Sequence, residues 1–185
     1  MKTKKFSKVI TVAVIVLSFF TQTAYAGIPT TSNSNDTITI EVIVNKFGED
    51  SLKNIEFDDG TKVSDYNYKI KYVNQKITRD PAYMATYFSQ ALWITRNNIV
   101  SLSLVPNSNV RNSLSEKNKA WTILSGEYTG LGSSKYWPKD EQKLKTFKWQ
   151  FDCHYHFANN KNEWNIEPSR SASSYAAVVA KKCNP

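Results

Sequence analysis

The side chains best suited to chemistry in this chain of 185 residues lie between positions 148 and 170. This stretch holds both histidines, His154 and His156, together with one of the two cysteines and two of the five tryptophans. Residues 151–157 alternate between apolar and titratable side chains, and this period of two predicts a strand. Asp152 and the two histidines would then share one face of that strand, opposite an apolar face.

A hairpin would bring these histidines towards carboxylates. Residues 159–167 contain a polar turn followed by a second alternating segment, with Glu163 and Glu167 on its polar side. Two histidines at this spacing on a strand, joined by a glutamate, could bind zinc or copper. Because the chain has no third histidine, His154 and His156 are weak metal candidates, and we predict no cofactor.

Catalysis without a metal is the second chemistry that these residues allow. His154 could act as a general base oriented by Glu167, while Arg96 or Arg170 binds an anionic group or stabilises developing charge. A cell-wall hydrolase could instead use the carboxylates Glu163 and Glu167. The predicted catalytic residues are therefore His154, Glu167 and Arg170, although no complete signature of a serine hydrolase or a zinc protease is present.

A purely structural role for the same residues is the alternative. Arg170 could pair with Glu167, Asn165 could bind backbone groups, and His154 could be a buried histidine with its hydrogen bonds satisfied. Three tryptophans would then fill the core: Trp93, Trp121 and Trp164.

The first 26 residues have the pattern of a secretory signal peptide. Four lysines precede an apolar run at residues 9–20, and Ala-Tyr-Ala at 24–26 forms a cleavage site. The run is too short to predict a membrane span. We therefore expect a secreted, extracellular protein of 159 residues, which is the 185 of the whole chain less 26. Its residues 27–35 form a flexible leader.

Net charge is unevenly distributed. The chain carries +8, but the signal peptide contributes four lysines and no acid, so 20 basic and 16 acidic residues remain, or +4. Residues 27–75 have five lysines and eight acids (−3), whereas residues 76–185 have fifteen basic and eight acidic residues (+7). The basic half could favour an anionic partner, such as a cell-wall polymer or a lipid headgroup. A mixed-charge soluble surface is the alternative.

The two cysteines, Cys153 and Cys183, are an even pair in a chain with a secretory signal, which favours a disulfide. A reactive thiolate is the other possibility, but the separation of the cysteines matches no compact metal site.

Local patterns divide the mature chain in two. Residues 36–75 predict a small antiparallel β unit that begins with a β-branched strand at 37–44. Residues 80–185 predict a domain of strands and short helices. It includes a hairpin turning at Asn97-Asn98 and a helix capped by Ser113. Further helices are expected at residues 80–92, 139–148 and 172–182.

Several motifs in the second part resemble one family. These are Trp-Ile-Thr-Arg at 93–96, Gln-Phe-Asp-Cys-His at 150–154, Trp-Asn-Ile-Glu-Pro at 164–168 and the terminal Cys-Asn-Pro. Together they resemble the bacterial secreted family known as domain of unknown function 2599, over about residues 83–185. The resemblance implies a secreted bacterial domain with Cys153 paired to Cys183, and it implies no activity.

The sequence thus predicts an α+β fold of antiparallel strands and several short helices with one disulfide, preceded by a small β unit. The expected function is non-enzymatic, bacteriocin-like binding to an anionic component of a cell envelope, and no specific nucleic-acid motif is present. The alternative is a secreted hydrolase or toxin that cleaves cell-wall or phosphodiester bonds with His154, Glu167 and Arg170. The predicted binding residues are Arg96, Trp93, Trp164 and Asn165.

Overall fold

The computed structural model describes residues 37–57, 59–73, 81–126 and 131–185. The predicted signal peptide and leader lie outside these residues. The strands are β1 (Thr37–Asn45), β2 (Asn67–Tyr72), β3 (Phe88–Arg96), β4 (Ile99–Pro106) and β5 (Trp164–Ile166). The helices are α1 (Glu49–Lys53), α2 (Pro81–Tyr87), α3 (Ser108–Asn112), α4 (Leu114–Ser125), α5 (Glu141–Phe157) and α6 (Tyr175–Ala180), with a 3-10 turn at Val63–Asp65.

The strands form one sheet in the order β2-β1-β3-β4-β5. Strands β1, β3, β4 and β5 pair antiparallel with their neighbours, whereas β1 and β2 are parallel. The predicted α+β class, with strands near the N-terminus, is confirmed. The antiparallel pairing predicted between the two N-terminal strands is wrong, because β2 runs parallel to β1 after the excursion through α1 and the 3-10 turn.

Both faces of the sheet carry apolar side chains. On β3, Trp93 packs towards α4 and α5, while its neighbours Leu92 and Ile94 pack against the segment that follows β1. Strand β4 differs: Leu102 and Leu104 join the helical side, and Ser101 and Ser103 occupy the alternate positions beside them. The second face of the sheet is therefore polar where β4 meets β5.

Two local predictions are confirmed and a third is confirmed in part. The β3–β4 hairpin turns through Asn97 and Asn98, which adopt the positive φ angles of 51° and 61° that asparagine tolerates well. Ser113 caps α4 by accepting a hydrogen bond from the backbone N–H of Glu116 at 3.3 Å. Helix α2 begins at Pro81 as expected but ends at Tyr87, where β3 takes over.

The strand predicted at residues 151–157 is wrong, because these residues form the second half of α5. Asp140 caps this helix through the backbone N–H of Lys143 at 2.9 Å. The buried positions Phe147, Phe151 and His154 recur at the spacing of one helix face. His154 is 1% exposed and His156 is exposed. The shared face that the metal hypothesis requires therefore does not exist.

The disulfide between Cys153 and Cys183 is confirmed and joins α5 to the end of the chain. It lies in a small apolar cluster with Ala158, Ala172 and Val178. This bond holds α6 against α5, outside the main core.

Within the described residues, none of the helices combines the length and the apolar character that crossing a bilayer requires.

Candidate functional site

His154 is fixed by its neighbours on two sides. Its Nδ1 lies 2.8 Å from the carbonyl oxygen of Gln150, which can only accept, so Nδ1 carries the proton of this hydrogen bond. Its ring stacks on the indole of Trp164 with centroids 6.1 Å apart. The helix thus sets both the tautomer and the orientation of this imidazole.

Gln150 connects α5 to the segment after β5. Its side-chain amide donates to the carbonyl oxygen of Glu167 and accepts from the N–H of Glu167, both at 3.0 Å. Arg170 pairs with the carboxylate of Glu167, three residues earlier in the chain. Glu167 and Arg170 therefore form the ion pair that the structural alternative predicted.

We expect Gln150→Leu to lower the free energy of unfolding by roughly 1–3 kcal/mol, because both backbone groups of Glu167 would lose their partner inside the protein. Gln90 is a matched control, since it is also buried, and its amide nitrogen has no hydrogen-bond partner among the described residues. Gln90→Leu should be nearly neutral in the same urea denaturation experiment. Equal losses for the two variants would contradict the assigned role of Gln150.

Two predicted binding residues belong to the core. Trp93 is 1% exposed and Trp164 is fully buried, so neither indole offers a surface to a ligand. The prediction that Trp93 and Trp164 bind a ligand is wrong, because both lie on the side of the sheet that the helices cover.

A polar cavity of about 480 Å³ opens at the end of α5, and we call it the strand-edge pocket. His154 lines it, together with Glu163 and Asn165 from the segment around β5. Glu56 and Phe57, which follow α1, also line it. Further amide groups come from Asn54, Asn162 and Asn184.

A smaller cavity of about 120 Å³ shares Phe57 and Asn165 with the strand-edge pocket. Arg96 and Glu167 line this smaller cavity, whereas His154 lines the larger one. Of the three predicted catalytic residues, His154 lines the larger cavity and Glu167 lines the smaller one, while Arg170 pairs with Glu167.

Arg96 is already engaged within the protein. Its guanidinium pairs with Asp59 at 2.8 Å and lies over the ring of Phe57, 4.0 Å from the ring centroid. Asp59 therefore compensates the positive charge that was predicted to bind an anion. The main effect of Arg96 is to hold Phe57 at the wall shared by the two cavities.

Glu163 is the carboxylate whose environment is most unusual in the strand-edge pocket. It is half-buried directly before β5, and the hydroxyl of Ser103 donates to it at 3.5 Å. Burial raises the pKa of Glu163, and the hydrogen bond from Ser103 opposes this shift. The sequence identified Glu163 only as one of two possible carboxylates, because Ser103 approaches it from 60 residues away.

Another cavity, which is open and has a volume of about 470 Å³, lies between α4 and α5, and we call it the α5 groove. The aromatic rings of Trp121, Trp137 and Trp149 line it. Glu141, Leu144, Lys145 and Lys148 form the side contributed by α5. The groove thus combines flat apolar rings with two ammonium groups and one carboxylate.

Positive charge exceeds negative charge beside the α5 groove. The ammonium of Lys117 lies 2.7 Å from an oxygen of Asp152, and that of Lys148 lies 2.6 Å from the same carboxylate. Burial lowers the pKa of Lys148, while the hydrogen bond and the charge of Asp152 oppose that shift. Two cations therefore share one anion, which leaves one positive charge uncompensated within this cluster.

Among the described residues, no three His, Cys, Asp or Glu side chains converge in the way that a metal ion requires. Because His154 and His156 occupy different faces of α5, they do not form the predicted ligand pair.

The fold is an α+β domain in which one disulfide fixes the C-terminus, and the Gln-Phe-Asp-Cys-His and Trp-Asn-Ile-Glu-Pro motifs meet at the sheet edge. The family model described as Protein of unknown function (DUF2599) matches residues 88–185, and the chain belongs to this family. The matched region begins at β3, and β1 and β2 precede it. Neither a curated protein nor a solved structure matches the chain.

Proposed function

We propose that this protein acts outside the cytoplasm by binding an anionic component of a cell envelope, and that the α5 groove makes the contact. The signal-peptide pattern and the disulfide support an extracytoplasmic location. Binding through the groove involves no chemical step.

The combination of tryptophan rings with lysines in one open groove carries this proposal. Trp121 and Trp149 are half-buried, and Trp137, which is 6% exposed, supports them from the core. Indole rings offer wide, rigid apolar faces, and such rings are enriched where proteins contact their ligands. Leu144 is 36% exposed beside them and adds apolar surface to the groove.

Charge selects the class of ligand. Lys145 is 55% exposed and pairs with Glu141 at 2.7 Å, while Lys117 and Lys148 share Asp152. Three cations against two carboxylates leave one net positive charge at the groove. Phosphate or carboxylate groups repeated along a polymer or a bilayer surface would compensate it. The excess of basic residues at positions 76–185 acts in the same direction.

The test is cosedimentation of the chain lacking residues 1–26 with isolated bacterial cell walls at low salt. We expect Lys145→Glu to weaken binding roughly thirtyfold, since the charge at this position changes by two units and each is worth about 1 kcal/mol at contact distance in water. Binding should also fall at 0.5 M salt, because salt screens interactions between exposed charges.

Lys53→Glu is the matched control. Lys53 is also an exposed helical lysine paired with a nearby carboxylate, at 2.8 Å from Asp50, but it lies on α1. Two comparisons distinguish the sources of negative charge. Binding to walls stripped of their anionic polymers tests the polymer, and binding to vesicles with or without anionic lipid tests the bilayer surface. Equal effects of Lys145→Glu and Lys53→Glu, or equal binding to stripped and intact walls and to both kinds of vesicle, would contradict the proposal.

A further inference from the structure

The strand-edge pocket has the composition of a site for a polyhydroxylated ligand. Amide groups from several segments both donate and accept hydrogen bonds, and the ring of Phe57 supplies an apolar wall. Its volume of about 480 Å³ lies within the range of small-molecule sites. The α5 groove does not contribute to this pocket, so the two features can be tested independently.

Two carboxylates in different surroundings face this pocket. Glu163 is half-buried next to β5 and is bound by the hydroxyl of Ser103. Glu56 is exposed and belongs to the segment that follows α1. Carboxyl groups in unlike environments on one cavity can divide the roles of acid and base.

The geometry points to hydrolysis of a glycosidic bond in the strand-edge pocket, with Glu163 as the proton donor and Glu56 as the base. Glu163 gives its proton to the glycosidic oxygen as the bond from that oxygen to the anomeric carbon breaks. The oxygen of a water molecule forms the new bond to this carbon, and Glu56 accepts the proton released by the water. Exchange with solvent then returns a proton to Glu163 and removes one from Glu56, so no oxidant or further reactant is needed.

Burial supports the role of Glu163, because it raises the pKa of this carboxyl and keeps the acid protonated to higher pH. The other titratable groups lining the pocket are Glu56, His154 and Lys161. Gln150 and Trp164 hold the ring of His154 in place. This ring therefore has a fixed position in the lining that it shares with the two carboxylates.

The experiment measures reducing ends released from purified peptidoglycan by the chain lacking residues 1–26. Wild-type protein should release them, and Glu163→Gln should reduce the rate by roughly 10²–10⁴-fold, which is the usual contribution of a general acid. Glu49→Gln is the matched control, since Glu49 lies on α1, is exposed and does not line the pocket, and it should retain full activity.

A stability measurement separates loss of chemistry from loss of fold. An acid whose pKa is raised by folding contributes stability below its unfolded pKa, about 4.3, and this contribution is lost as pH rises through the folded pKa. Glu163→Gln should therefore melt at a higher temperature than wild type at pH 7, with the difference closing towards pH 4. A merely structural carboxylate would not combine this gain with lost turnover.

The outcomes that overturn the inference are specific. They are no release of reducing ends by the wild-type protein, equal loss in Glu163→Gln and Glu49→Gln, or loss in Glu167→Gln with Glu163→Gln active. Cosedimentation of Glu163→Gln with cell walls should be unchanged, because the α5 groove is intact. Failure of this inference and failure of the proposed binding function are thus distinguishable.

Discussion

Replacing Trp164 by alanine is expected to lower the free energy of unfolding by roughly 3–5 kcal/mol, the range for removing a large aromatic side chain from a core. Trp164 is fully buried on β5. Its ring contacts Phe151 edge-on, with centroids 5.5 Å apart, and stacks on His154. The guanidinium of Arg111 covers another part of the indole at 5.6 Å. One side chain therefore joins β5, α5 and α3.

Urea denaturation of Trp164→Ala and Trp164→Phe tests this role. The indole N–H of Trp164 has no hydrogen-bond partner among the described residues, so phenylalanine loses volume but no hydrogen bond. We expect Trp164→Phe to cost much less than Trp164→Ala. If Trp164→Ala unfolded at the same urea concentration as wild type, Trp164 would not be the core residue that the structure shows.

Removing the disulfide should have the second largest effect. The bond closes a loop with a sequence separation of 30 residues, and the chain-entropy treatment gives about 3.6 kcal/mol for such a loop. Both cysteines are buried, so Cys153→Ala with Cys183→Ala avoids placing new polar groups in the apolar cluster. The double variant should melt at a lower temperature than the oxidised protein.

Reduction of the wild-type protein provides the control for this variant. Treatment with a thiol reductant should shift the melting temperature of the wild type in the same direction and leave the double variant unchanged. Hydrogen exchange at α6 should increase in both cases, because α6 is attached to α5 through this cluster. Unaltered exchange at α6 would contradict the stabilising role given to the bond.

Elements with a strong local signal were predictable from sequence. The β-branched run at residues 37–44 is β1, the Asn97-Asn98 pair forms a turn, and Ser113 begins a helix. In each case one or two neighbouring side chains determine the backbone conformation. The parallel pairing of β2 with β1 has no such signal, since it depends on the path of residues 46–66.

The second half of α5 shows how a short pattern misleads. Over seven residues, alternation of apolar and polar side chains is compatible with a strand, yet the buried positions from Phe147 to His154 have helical spacing. The capped start at Asp140 and the packing of Phe147 and Phe151 in the core decide in favour of the helix. The metal site predicted at His154 and His156 depended on this strand, so it loses its basis once these residues are recognised as helical.

The candidate sites were only partly accessible to sequence reasoning. His154 and Asn165, both singled out from sequence, line one pocket, but Asn184 reaches this pocket from a distant part of the chain, as Ser103 does for Glu163. The α5 groove was not predicted, because Trp121 and Trp149 belong to helices whose packing the sequence does not specify. Long-range proximity, rather than residue type, was the missing information.

The two outer strands of the sheet bear on aggregation. An unpaired strand edge is a template for pairing with another chain, and proteins limit this with short edge strands and charged side chains. Strand β5 offers only three residues, and β2 carries the exposed Lys69 and Lys71. The side-chain amide of Asn184 lies 3.0 Å from the carbonyl oxygen of Asn165, and assigning the amide nitrogen to that position lets it donate to this oxygen and partly cover β5. Edge-to-edge growth of fibrils is thereby disfavoured at both sides of the sheet.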